Sequence, residues 1–84
     1  MRLTQIQDEV IDTAHCEGKI DPGIFARLLL HELDDVQAAI SDLVSQGLLA
    51  AVEGGTYQLT DRGRAVHRAQ EDAHRAAVIR RIRI

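Results

Sequence analysis

Four histidines and one cysteine, His15, Cys16, His31, His67 and His74, are the side chains best suited to specific chemistry, because imidazole and thiolate are the common ligands of zinc-like metals. Their spacing does not build such a site. His15 and Cys16 are neighbours, so a helix would point them to different sides, and His67 and His74 stand two turns apart. Cys16 therefore reads as a lone buried thiol and the histidines as surface residues, with no metal and no cofactor expected. No serine or cysteine nucleophile has a local base and acid behind it, and no glycine-rich phosphate loop occurs, so the expectation is a non-enzyme. A single cysteine also rules out an internal disulfide and gives no sign of an oxidising compartment.

Charge is distributed unevenly. Residues 1–60 carry ten Asp and Glu against Arg2, Lys19 and Arg27, whereas residues 61–84 carry seven arginines against Asp61, Glu71 and Asp72. An acidic body with a basic final segment restricts contact with nucleic acid, or with an acidic partner, to one end. No apolar run approaches the roughly 20 residues of a membrane span. The N-terminus lacks the apolar core of a signal peptide, and the expected location is the cytoplasm.

The elements that must position these groups follow from apolar periodicity. Leu3, Ile6, Val10 and Ala14 recur at steps of three and four, predicting a helix over 3–16 that Gly18 ends. After a short extended Lys19-Ile20, Asp21-Pro22 supplies an N-cap and a first-turn proline for a second helix over 22–31, with Ile24, Phe25, Leu28 and Leu29 as its buried stripe. A third helix over 34–46, capped by Asp34, buries Val36, Ala39, Ile40, Leu43 and Val44 and stops at Gly47. Leu48–Glu53 and Thr56–Thr60 flank Gly54-Gly55, the turn of a two-stranded hairpin. Thr60 then caps a helix beginning at Asp61 and extending to about residue 78. With one Phe and one Tyr, the core must be aliphatic, which favours close helix packing over a roomy ligand pocket. No repeat or linker divides the chain, so residues 1–84 are expected to form one domain.

Two runs carry a family resemblance: Leu43-Val44-Ser45-Gln46-Gly47-Leu48-Leu49, and Gly54-Gly55-Thr56-Tyr57-Gln58-Leu59-Thr60-Asp61-Arg62-Gly63-Arg64. Over about residues 3–78 the chain resembles MarR-like and PadR-like winged-helix regulators, in which a helix ending in L-x-x-x-G-L runs into a hairpin closing with Y-x-L-T-x-x-G. The implied fold is mainly α with a small β-hairpin wing, a winged helix-turn-helix with an added C-terminal helix. Each motif residue has a structural reason to be there, so the resemblance bears on fold directly and on function by analogy.

The resemblance implies that residues 34–46 are a recognition helix for the major groove. Gln37 suits adenine, Ser41 and Ser45 suit several base edges, and Ala38 suits a thymine methyl, while Arg62 and Arg64 just after the wing are within reach of phosphates. Asp34, Asp35 and Asp42 share that outer face with no Lys or Arg. Two functions therefore compete. One is a DNA-binding transcriptional regulator of double-stranded DNA, a homodimer through the C-terminal helix, whose small-residue strip Val66, Ala69, Ala73, Ala76, Ala77, Ile79 and Ile82 is expected to pack on the first helix over its first two turns and to need another partner beyond about Ala73. The other is a protein–protein interaction module whose acidic third helix takes a basic protein partner, without DNA.

Overall fold

The computed structural model describes residues 3–82, with side chains as far as Val78. Its elements run α1 (Gln5–Glu17), α2 (Pro22–Leu28), α3 (Leu33–Ser45), β1 (Leu49–Val52), β2 (Thr56–Leu59) and α4 (Asp61–Ile82). Ile79 and Ile82 of the predicted apolar strip, and the segment 83–84, fall outside the described side chains.

Thr4 opens α1 with a reciprocal capping box: its hydroxyl accepts from the Gln7 amide, and the Gln7 side chain accepts from the Thr4 amide. Asp21 caps α2 by accepting from the Gly23 and Ile24 amides. Between them, Ile20 pairs with Tyr57, adding a bridge of extended chain beside the hairpin. At the end of α3 the Gly47 amide donates to the Val44 carbonyl and the Leu48 amide to the Leu43 carbonyl, with Gly47 at φ 76°. This left-handed residue reverses the chain and drives Leu48, fully buried, into the core.

The strands pair antiparallel with Leu49 opposite Leu59 and Val52 opposite Thr56. That register leaves three linking residues, so the strand expected to reach Glu53 stops at Val52. The Thr56 hydroxyl closes the turn on the Glu53 carbonyl, while Gly54 and Gly55 both take positive φ. The core gathers Val10, Ile11 and Ala14 of α1, Ile20, Phe25 and Ala26, then Val36, Ile40 and Leu43 of α3, and Leu48, Leu49 and Leu59 around the hairpin. Val66 of α4, partly buried, packs against this cluster, as expected of a mainly α fold with a wing.

Several local expectations are corrected. Helix α2 ends at Leu28 instead of residue 31, because Leu30 turns left-handed at φ 57° and the His31 amide reaches back to the Ala26 carbonyl. The turn is held from outside by His31, which sits 2.6 Å from Glu9 and stacks on Phe25. Only Phe25 of the predicted stripe is buried; Ile24, Leu28 and Leu29 are 49%, 74% and 42% exposed, since two helical turns have one face to bury. Glu32, without a side-chain bond, precedes α3, so Asp34 and Asp35 lie within its first turn instead of Asp34 capping it. Val44 leaves the core for the wing side of α3. Cys16 is exposed, and His67, taken as a surface residue, is 5% exposed.

Candidate nucleic-acid interface

Burial of Val36, Ala39, Ile40 and Leu43 fixes the rotation of α3 and turns Gln37, Ala38, Ser41 and Ser45 to the exterior. Gln37 and Ser41 edge a cleft of about 460 Å³ between α3 and the wing, whose other walls include Val44, Ala51 and Tyr57. Ala51 and Tyr57 are register partners, which is why both meet α3. This apolar floor was missed in the sequence, although strand alternation from Leu49 and Leu59 carries its signal.

The remaining candidates lie apart from that cleft. The Thr60 hydroxyl accepts from the Gly63 amide and donates to the Gly47 carbonyl at 2.6 Å, tying the start of α4 to the turn after α3. Arg62 is exposed on this first turn. Arg64 pairs with Asp61 and donates to the Leu59 carbonyl at 3.1 Å. It lines a second concavity with Ala14, His15 and Gly18 of the α1 terminus, which shares no residue with the Gln37 cleft. Arg64 and the pair Gln37 and Ser41 therefore line different concavities.

Exposed charge on the α3 side is acidic. Asp34, Asp35 and Asp42 stand on its outer surface and Glu53 at the wing turn, and α3 itself contains no cation. Carboxylates in the first turn favour the helix dipole, so Asp34 and Asp35 have a structural benefit there.

Two histidine–carboxylate pairs organise the rest of the surface from α1. His31 bonds Glu9 and holds its carboxyl below the ordinary carboxylate range, with partial burial opposing and Gln5 assisting. His67 lies 3.2 Å from Asp12 and stacks on His15 with ring centroids 4.0 Å apart. Separated by 55 residues in sequence, the Asp12–His67 pair has no local signal. Among the described residues no group of three or more His, Cys, Asp or Glu is placed to hold a metal, and no helix is long and apolar enough to cross a membrane.

The architecture matches solved structures whose sequences are distant. A structure of the reduced form of MarR from E. coli superposes with a TM-score of 0.79 at 21% identity, covering 86% of this chain and 54% of that one. RV1404 from Mycobacterium tuberculosis superposes with a TM-score of 0.85 at 22% identity, covering 96% and 59% respectively. The chain thus spans a little over half the length of each, and what is shared is the winged-helix fold. No family model and no curated protein matches at the level of sequence.

Proposed function

We propose that this winged-helix chain is a transcriptional regulator that binds double-stranded DNA, presenting α3 to the major groove and the wing beside it. The observation that carries the reading is the outward placement of Gln37 and Ser41 at the mouth of the α3–wing cleft, next to Ala38 and Ser45 on one exposed surface. Gln37 reads adenine, the serines bond base edges, and Ala38 meets a thymine methyl. Arg62 and Arg64 bind phosphate, Arg64 by exchanging the exposed Asp61 partner of its Nη2 at little cost while its Nη1 keeps the Leu59 carbonyl. The protein acts as a homodimer through α4, whose residues 71–78 are all exposed beyond the core.

Titration of a labelled random-sequence duplex at low salt tests this. Binding should be seen with the unaltered chain and fall sharply in an Arg62→Ala/Arg64→Ala variant. Failure of the unaltered chain to bind any duplex defeats the proposal. A second reading is favoured by one observation, the absence of cations on α3 beside three exposed aspartates: the same surface would then receive a basic protein partner, with no DNA bound.

A further inference from the structure

We infer that the groove beside α2 is the docking site for the basic, apolar segment 75–84 of a second copy of this chain. The groove, about 450 Å³, has Ile20 and Phe25 beneath it and Ile24, Leu28 and Leu29 along its edge. Ile24, Leu28 and Leu29, three of the large exposed aliphatic side chains, are thus gathered on this one groove. Such a concentration marks a contact surface, since isolated exposed leucines are ordinary and clustered ones are not. Glu17 and Asp21 stand at the rim with Lys19.

Segment 75–84 has the matching composition. Arg75, Arg80, Arg81 and Arg83 alternate with Val78, Ile79, Ile82 and Ile84, and it contains no acid. Val78, Ile79 and Ile82 recur at helical spacing, the pattern by which an amphipathic helix enters an apolar groove. The opposite charge of the two parts, ten acids to three bases before residue 61 and four arginines in the segment, directs the encounter.

Geometry excludes the same chain as donor. His67 meets Asp12 and Gln70 meets Asp8, so α4 runs antiparallel to α1 and moves toward its N-terminus. The groove lies at the other end of α1, beside Thr13 and Glu17. At a rise of about 1.5 Å per residue, Val78 has travelled about 16 Å past the level of Asp12, away from the groove. A second copy can supply the segment, and two reciprocal dockings close a two-fold dimer. This specifies the receiving surface for the self-association proposed above and is independent of DNA.

Sedimentation velocity on the full chain, with Leu28→Asp and Ile82→Asp variants, tests it. Leu28 is exposed, so its replacement leaves the fold intact, as circular dichroism should verify. Each variant alone should weaken dimerisation about tenfold or more. An equimolar mixture of the two should recover a heterodimer, because one intact segment still meets one intact groove. Loss with Leu28→Asp alone would instead indicate α2 pairing with α2, and loss with Ile82→Asp alone would indicate that α4 associates elsewhere; the second overturns the groove while leaving dimerisation through α4 standing. A chain that is monomeric throughout overturns both.

Discussion

Gly63, in the first turn of α4, lies so close to the carbonyl of Leu48 that a methyl group on it would overlap the oxygen and come within 3.0 Å of Leu59 Cδ2. Around this contact the Thr60 amide bonds the Leu48 carbonyl, and the Thr60 hydroxyl links Gly47 to Gly63. The run from Thr60 to Gly63 is therefore a clasp that seats α4 on the start of the wing. Gly63→Ala should destabilise the fold by about 1–3 kcal/mol, because the obstacle is backbone and cannot swing away. Urea denaturation checks this, and an unchanged midpoint would show that α4 can lift without loss.

Leu30 presents the reverse situation. It adopts φ 57° while 93% exposed, so its side chain gains almost no burial for a backbone conformation that costs a non-glycine residue about 1–2 kcal/mol. Glycine relieves that strain but adds about 0.5–1 kcal/mol of unfolded-state entropy. The balance predicts that Leu30→Gly stabilises the protein by roughly 0.5–1 kcal/mol, measured as a higher thermal midpoint. A lower midpoint would mean that the leucine has packing partners in solution.

These two residues also show what was legible in the sequence. Gly47, Gly54-Gly55, Asp21-Pro22 and the periodic aliphatics declare their roles locally, through backbone conformations and caps that few residues supply. The end of α2 does not, because Leu28-Leu29-Leu30-His31 contains no helix-breaking residue. Its end shows only in the fold, where Leu30 turns left-handed and His31 bonds Glu9, a partner 22 residues away. Burial of His67 against Asp12 and His15 is likewise tertiary. On the candidate interface, the orientation of α3 could be read from its period, whereas the separation of Arg64 from the Gln37 cleft required the hairpin to be seen in place.

The Glu9–His31 contact has a consequence for acid stability. Bonding to His31 lowers the Glu9 carboxyl from its ordinary value of 4.5 in the folded state. Unfolded chains then bind the proton more readily, so the contribution of this pair is present above that value and is lost as pH falls through the lower folded value. Glu9→Gln should flatten the stability–pH profile on the acid side of 4.5, read from urea midpoints between neutral and acid pH. An identical slope in both proteins would show that the bond does not persist in solution.

Charge on α3 offers the sharpest test of the proposed function. A duplex approaching Gln37 and Ser41 must also approach Asp34 and Asp42, and the phosphate contacts that offset this repulsion come from the few arginines at the start of α4. With about two to four phosphates neutralised per protomer, log K should fall by only about 2–4 per unit of log salt. Replacing both aspartates in an Asp34→Asn/Asp42→Asn variant removes like charge without adding a base-specific contact. Affinity for any duplex should therefore rise, and rise similarly for unrelated sequences. The interaction-module reading requires the opposite for its own partner, since these carboxylates would be the attracting groups and their loss would slow association with a basic surface. Fluorescence anisotropy on two unrelated duplexes, with the salt series repeated for the variant, decides between them. If the variant binds duplex no better than the unaltered chain, the outer surface of α3 does not face DNA.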